Sequence, residues 1–274
     1  MSKKLIYLGC FVMLLGLVGN ASAALPSGWT SQDINTTGGS AEESDGVWTV
    51  IADGADIYDP PDEFHFVYIP FSGDVDIFVR VVSVGDGSNV WARGGLMIRE
   101  TLDPDSKYAA MYITGGGGSG TAFMHRPTTN GDTSNATNGV GISAPYWVRL
   151  TRVGNTFTGY CSSDGVNWVQ QPNTLLRTGH AAGGEEAENP ATFEMASDFF
   201  VGLCATSHVS GTVRTFIFDN LSPLRPPELA SDPDPVDGDT DVLRDMDLNW
   251  VEGKFAATHD VNSVSNTHLR AHET

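Results

Sequence analysis

Apolar and polar residues alternate along several short segments of the chain. In the segment 64–68 the aromatic residues Phe64, Phe66 and Tyr68 occupy every second position, and in the segment 75–81 four aliphatic residues do the same. Successive side chains of a β-strand point to opposite faces, so a two-residue period predicts strands with one face on a hydrophobic core.

Nine further segments have the composition of strands. They are rich in β-branched and aromatic residues, and they span 47–52, 90–99, 107–114, 120–126, 146–153, 156–161, 167–170, 199–206 and 212–218. The dipeptide Gly154-Asn155 separates two of them and predicts a two-residue hairpin turn. About a dozen antiparallel strands joined by glycine- and proline-rich turns predict an all-β fold, a two-sheet antiparallel β-sandwich.

Three segments interrupt the alternation. We interpret residues 127–141 as a loop and residues 172–196 as an inserted loop that carries the acidic cluster Glu185, Glu186 and Glu188. Repeated proline and aspartate in the range 223–241 predict a linker. These boundaries place the sandwich at residues 25–222.

The remainder of the chain reads as a fragment. Asp247-Leu248-Asn249-Trp250 predicts the first strand of a small unit over residues 242–263, with too few residues after it to close a sheet. The last eleven residues, 264–274, resemble one reading frame of a transposase adapter used to build sequencing libraries. We interpret them as a sequencing artefact, which an uninterrupted genomic reading frame across them would refute.

The N-terminus predicts export. Lys3 and Lys4 precede an apolar run over residues 5–18 and the small residues Ala21-Ser22-Ala23, which is the pattern of a secretory signal peptide, here 1–23. A membrane-spanning helix needs about 20 apolar residues, and no later run reaches that length. We therefore expect no transmembrane segment in the mature chain and a location outside the cell or at the cell surface.

The net charge of the chain restricts the kinds of partner that it can bind. The chain has 34 acidic and 15 basic residues, a formal net charge of −19 at pH 7, which argues against nucleic acid as a partner.

Cys161 and Cys204 lie outside the predicted signal peptide. In an oxidising compartment they could form a disulfide between neighbouring strands or stay two separate buried thiols, and the sequence leaves both arrangements open.

Several blocks, in this order along the chain, resemble a known kind of module. The blocks are 25–29, 54–57, 62–68, 95–100, 147–150, 154–157, 163–168, 201–203 with 206–208, and 218–220. Together they resemble the concanavalin A-like sandwich modules, of the lectin and glucanase type and of unknown function, that occur in large exported bacterial proteins. Residues 232–261 resemble the start of an immunoglobulin- or fibronectin-like repeat, truncated here.

The resemblance implies a set of site residues. Such modules often occur beside glycoside hydrolases or lectin-like domains, so carbohydrate is the implied ligand, and structural calcium is frequent among them. Asp219 ends the last sandwich strand as a calcium ligand does in sugar-binding sandwiches, although an aspartate that caps a turn is the simpler account. No other cofactor is implied.

Sugar binding needs aromatic rings for stacking and planar polar groups for the hydroxyls. The residues that offer this chemistry in the predicted strands and turns are Tyr58, Trp91, Arg99, His125 and Arg126. His125-Arg126 ends a strand beside the loop 127–141, which makes this pair the preferred rim of a site.

No predicted strand carries paired carboxylates on one face, the arrangement that glycoside hydrolysis requires. We therefore expect a non-catalytic extracellular module that binds a polysaccharide, a cell-surface glycan or another surface polymer as part of a larger secreted protein. Two alternatives stay open. One is a structural or adhesion spacer without a ligand, and the other is an accessory domain of a secreted glycoside hydrolase whose catalytic part lies outside this sequence.

Overall fold

The computed structural model describes residues 25–116, 120–137, 141–171 and 188–224, together with four short strands that follow. The predicted signal peptide, most of the predicted linker, and Glu185 and Glu186 lie outside the described residues. The described part of the chain forms strands and turns. It contains no helix long and apolar enough to cross a lipid bilayer.

The described residues form nineteen strands, which have the following bounds: β1 Thr30–Ile34, β2 Ser40–Ser44, β3 Val47–Ala52, β4 Phe64–Ser72, β5 Val75–Ser83, β6 Arg93–Arg99, β7 Tyr108–Thr114, β8 Thr121–Arg126, β9 Ser134–Thr137, β10 Tyr146–Val153, β11 Thr156–Ser162, β12 Val169–Gln170, β13 Ala191–Thr192, β14 Asp198–Thr206, β15 Arg214–Asp219, β16 Ser231–Asp234, β17 Asn249–Val251, β18 His259–Ser263 and β19 Leu269–Glu273.

The first fifteen strands form two antiparallel sheets. The first sheet has the order β1-β4-β14-β6-β7-β8-β9, and the second has the order β12-β11-β10-β5-β15-β3-β2, with β13 paired to β11. Strands β16 and β17 pair with each other, as do β18 and β19. The predicted all-β sandwich is confirmed, while the predicted domain boundaries stay predictions.

The central strands agree with the alternation in the sequence, and the peripheral ones do not. Strands β3 and β10 have the predicted bounds, and Val153 pairs with Thr156 around the predicted Gly154-Asn155 hairpin. The interpretation of 127–141 and 172–196 as loops throughout is wrong, because β9 and β13 lie inside them. Strands β1 and β2 were also not predicted. All four pair on one side only, so their sequences need no alternating apolar face.

The inter-sheet core fills the space between the two sheets. Its buried side chains come from alternate positions of strands in both sheets, for example Val67, Leu96 and Leu203 of the first sheet and Ile77 and Phe218 of the second. This is the one apolar interior that a sandwich needs, and the two-residue period of β5 supplies four of its side chains.

A second hydrophobic cluster lies on the far face of the first sheet. Phe64, Phe66 and Tyr68 point into it, whereas Val67 of the same strand points into the inter-sheet core. The three aromatic rings stack along the strand, with centroid separations of 5.7 Å and 5.0 Å. The first sheet is therefore buried on both faces, which the alternation alone does not predict.

The connection between β3 and β4 covers part of this far face. We call residues 53–62 the covering segment. Ile57 is fully buried in the second cluster, and its carbonyl oxygen accepts a hydrogen bond of 2.7 Å from Arg93. The amide of Asp62 donates to the carbonyl of Pro104 at 2.8 Å, which fixes the end of the segment. Polar groups thus anchor the covering segment over apolar strands.

The two cysteines lie on opposite sides of the first sheet. Cys204 belongs to β14 and points into the second cluster, whereas Cys161 belongs to β11 and points into the inter-sheet core. Both are buried free thiols. Of the two arrangements that the sequence leaves open, the structure has the separate thiols, since a strand of the first sheet stands between them.

We expect both thiols to be unreactive in the folded protein. Burial raises the pKa of Cys161 and of Cys204, and the thiolate is the reactive form. Iodoacetamide should leave both unmodified in native buffer and label both in concentrated guanidinium chloride without a reductant, as read by peptide mass spectrometry. A peptide pair cross-linked through these two residues would contradict the structure.

Candidate functional site

Two arginines predicted from the sequence lie in one row across the first sheet. Arg99 of β6 pairs with Tyr108 of β7, which pairs with Arg126 of β8. Directly opposed residues share a face of a sheet, so all three side chains enter the second cluster. The guanidinium carbons of Arg99 and Arg126 lie 6.0 Å and 4.9 Å from the ring centroid of Tyr108.

Both guanidinium groups bind the same carboxylate. Asp62 Oδ2 accepts hydrogen bonds from Arg99 Nη1 at 2.7 Å and from Arg126 Nη1 at 2.8 Å, and Oδ1 accepts from Arg126 Nη2 at 2.6 Å. All three side chains have 0% exposure. We call Asp62, Arg99 and Arg126 the arginine–aspartate cluster.

The cluster holds two connecting segments together, the one between β3 and β4 and the one between β6 and β7. Arg126 also donates to the carbonyls of Ser106 at 3.1 Å and Tyr58 at 2.9 Å, and Arg99 donates to the carbonyl of Asp103. The structure therefore brings Tyr58, Arg99 and Arg126 together as the sequence analysis expects. Burial gives the two arginines a positioning role, because their guanidinium groups do not reach solvent.

Sequence reasoning missed Asp62, the acceptor of the cluster. It lies two positions before the start of β4, inside the block 62–68, and is 37 and 64 positions from its two partners. Only the register of the sheet brings Asp62 close to the two arginines. The one sequence feature that could have indicated its role is an acidic residue just before an apolar strand.

His125 does not share a site with Arg126. Adjacent residues of a strand point to opposite faces, so His125 packs against Phe193 at a centroid distance of 5.9 Å on the inter-sheet side. Its side chain is buried, and desolvation lowers its pKa to about 4. The expectation that His125-Arg126 forms one solvent-facing rim is wrong for this geometric reason.

Trp91 lies apart from the other predicted residues. It precedes β6 and is 39% exposed, and its amide donates to Asn89 Oδ1 at 2.8 Å. Eight residues separate it from Arg99 at the other end of the strand, which corresponds to roughly 25 Å of extended chain. The structure does not bring Trp91 to the arginine–aspartate cluster.

Asp219, the predicted calcium ligand, binds an arginine. Its Oδ1 accepts from Arg80 Nε at 2.8 Å and its Oδ2 from Arg80 Nη2 at 2.5 Å. The hydrogen bonds from Arg80 lower the pKa of Asp219. Both oxygens are thus engaged, and the described ranges contain no group of three or more acidic, histidine or cysteine side chains that could hold a metal ion.

An open cleft lies where β4 ends, β14 begins and β6 ends. It has a volume of about 600 Å³. Its lining combines aromatic, hydroxyl and carboxylate side chains and consists of Pro70, Phe71, Ser72, Glu100, Asp198, Phe199 and Phe200. The rings of Phe71 and Phe200 are half-buried and Asp198 is exposed. We call this feature the aromatic cleft.

The aromatic cleft adjoins the arginine–aspartate cluster. Phe200 pairs with Arg99 across β14 and β6, so the two side chains lie on the same face. The ring of Phe200 also meets Tyr68 edge-on at 5.1 Å. One wall of the cleft therefore continues the stacked aromatic rings of the second cluster to the surface.

Glu100 shapes another wall of the cleft. Its Oε1 accepts hydrogen bonds from the amide of Ala196 at 2.9 Å and from Lys107 Nζ at 3.3 Å. These contacts tie the segment before β14 to the end of β6. The cleft residues Glu100, Asp198 and Phe200 were not predicted from the sequence, because a cleft between non-consecutive strands leaves no local pattern.

Solved structures agree with a sandwich. A protein of unknown function from Saccharomyces cerevisiae is 20% identical, with a TM-score of 0.52, and the match covers 73% of this chain and 97% of that one. At this identity the likeness shows the fold alone. No family model and no curated protein matches the chain.

Weaker structural likenesses include proteins with carbohydrate-related names. A family 43 glycoside hydrolase protein from Bacillus licheniformis is 13% identical with a TM-score of 0.48, and the match covers 72% of this chain but only 36% of that one. A carbohydrate-binding module from Bacillus subtilis is 15% identical with a TM-score of 0.43, and the match covers 71% of this chain and 93% of that one.

We expect Asp62→Asn to destabilise the fold strongly. The substitution leaves two buried guanidinium groups without their counter-charge, and breaking such a buried pair typically costs about 3–5 kcal/mol. Asp219→Asn is the matched control, since its arginine partner is partly exposed and the loss should stay below about 1 kcal/mol. Urea unfolding of both variants measures the difference, and equal losses would contradict the role of the cluster.

We also expect acid to destabilise the protein through His125. An unfolded histidine takes up a proton near pH 6.5, and the folded His125 only near pH 4. The unfolded state therefore binds more protons in that window, and the free energy of unfolding falls as the pH drops through it, by up to about 3 kcal/mol.

The variant His125→Phe isolates this effect. It keeps a flat ring between Phe123 and Phe193 and removes the titrating group. The loss of unfolding free energy between about pH 7 and about pH 4.5 should be smaller in the variant than in the parent protein. An identical loss in both would show that His125 does not carry the acid sensitivity.

Proposed function

We propose that this chain is a non-catalytic extracellular module that binds carbohydrate or another surface polymer as part of a larger secreted protein. The observation that carries the proposal is the aromatic cleft, where half-buried phenyl rings stand beside hydroxyl and carboxylate groups. The predicted signal peptide supports the extracellular location.

The chemistry of the cleft suits a sugar. The apolar face of a pyranose ring can pack on Phe200 or Phe71, because an aromatic ring offers a large, rigid apolar surface. Ser72, Glu100 and Asp198 supply donors and acceptors for hydroxyl groups beside those rings. An open cleft at the end of a sheet also admits an internal segment of a long polymer.

The surroundings of the cleft hold its walls in place before a ligand arrives. Arg99, beside Phe200, is fixed by the carboxylate of Asp62, and Glu100 is fixed by two hydrogen bonds. Binding then orders few additional side chains, which favours affinity because less conformational entropy is lost.

The two carboxylates of the cleft support binding better than hydrolysis. A glycosidase needs one carboxyl group free to deliver a proton and a second free to act as base or nucleophile. Glu100 Oε1 instead accepts structural hydrogen bonds from Lys107 and Ala196. Asp198 lies in β14, on a different element from Glu100.

We expect Phe200→Ala to weaken glycan binding at least tenfold. Removing a buried contact of a phenyl ring forfeits about 1.5–3 kcal/mol, and 1.4 kcal/mol corresponds to a factor of ten. A glycan array on the purified full chain identifies the ligand, and isothermal titration calorimetry measures the dissociation constants. Thermal unfolding of each variant checks that the fold is intact.

Trp91→Ala provides the competing test, because Trp91 is the exposed aromatic residue at the opposite end of β6. A larger loss of affinity with Trp91→Ala than with Phe200→Ala would move the site away from the cleft and contradict the proposal. Absence of saturable binding to any glycan would favour the spacer without a ligand.

A further inference from the structure

The charged side chains that line the aromatic cleft, among the described residues, are acidic. Among the described residues that line it, the charged ones are Glu100 and Asp198, and none is a lysine or arginine. The carboxylate of Asp198 is exposed, and it forms no hydrogen bond or ion pair with another described side chain. A ligand in the cleft therefore meets at least one carboxylate that no described residue neutralises.

The described cationic side chains around the cleft are engaged in structural contacts. Lys107 Nζ binds Glu100 at 3.3 Å and the carbonyl of Glu194 at 2.9 Å. Arg152 is 4% exposed and donates to the carbonyls of Met195 and Ala196, immediately before β14. Arg99 is bound to Asp62. None of the three turns a free cationic group toward the ligand.

The aromatic rings of the cleft also favour a cationic ligand. The face of a phenyl ring attracts a cation through its quadrupole, and the attraction strengthens when a carboxylate lies nearby in a partly desolvated site. Phe200 is half-buried and lies two residues from Asp198 on the same face of β14. The net charge of −19 extends the same sign of potential over the whole molecule.

We propose that the aromatic cleft selects polymers of amino sugars, through a protonated amine held between a phenyl face and the carboxylate of Asp198. This inference rests on the proposed glycan binding and names the class of sugar within it. The same arrangement disfavours uronate polymers, since their carboxylates meet Glu100 and Asp198 with like charge.

The experiment compares oligosaccharides that share one backbone. Calorimetry on the full chain in mildly acidic buffer uses β-1,4-linked hexamers of glucosamine, of N-acetylglucosamine and of glucose, with a β-1,4-linked mannuronate hexamer as the anionic probe. We expect the glucosamine hexamer to bind at least fivefold more tightly than the glucose hexamer, with the uronate hexamer weakest. The preference should shrink as salt is added, because exposed charges are screened.

Asp198→Asn tests the residue that the inference names. We expect it to reduce the ratio of glucosamine to glucose affinity at least threefold. Asp45→Asn is the matched control, because it removes the same charge from the exposed turn between β2 and β3. Its backbone φ of 51° is one that asparagine adopts readily. A general attraction between a polycation and an acidic protein would change equally in both variants.

The outcomes separate the inference from the function beneath it. Equal affinity for the glucosamine and glucose hexamers, or equal effects of Asp198→Asn and Asp45→Asn, overturns the selection of amino sugars. In either case glycan binding that still depends on Phe200 leaves the proposed function standing. Binding of no hexamer at all removes both.

Discussion

The carboxylate of Asp62 is the point on which the far side of the first sheet depends. It is fully buried and is shared by two fully buried arginines that come from different strands. A buried charge is tolerated only when it is paired and hydrogen-bonded, so the three side chains require one another. Through Arg126 the same carboxylate also fixes the carbonyls of Tyr58 and Ser106, and with them the covering segment. The apolar rings beneath that segment stay out of water as a result.

The arginine–aspartate cluster also positions part of the aromatic cleft, because the strand register places one of its arginines beside a cleft residue. Arg99 is the last residue of β6 and lies beside Phe200, and Glu100 follows it into the cleft wall. The positions of Phe200 and Glu100 are thus set by a buried ionic contact, while their exposed parts remain available to a ligand. Residues predicted as ligand contacts, Arg99 and Arg126, support the site from behind. The chemistry that suits a sugar comes instead from side chains at the end of the sheet.

Local periodicity accounts for the central strands and leaves the rest of the fold open. Strand β5 carries its pattern in adjacent residues, because every second side chain from Val75 to Val81 is apolar and fully buried. Strand β9 is polar and pairs on one side, so nothing in Ser134–Thr137 distinguishes it from a loop. The candidate site shows the same limit. Tyr58, Arg99 and Arg126 were predicted as sugar-binding residues from their chemistry, and they do lie together. Asp62 and Phe200 come close to them only because strands that are distant in sequence pair with each other. His125 was assigned to the wrong face because its neighbour was treated as sharing its direction.

Strands β6, β7 and β8 turn one face to the inter-sheet core, with Leu96, Met111 and Phe123, and the other face to the second cluster and Asp62. Every residue of all three strands is buried. Inserting or deleting one residue in any of them would rotate the downstream side chains by half a turn. A guanidinium group would then enter the inter-sheet core and an isoleucine would face Asp62. Length changes in this part of the chain should therefore be tolerated only in the turns between these strands, where no such exchange of faces follows. Because both faces of the first sheet are buried, the lengths of its strands should vary far less than the lengths of the loops that connect them.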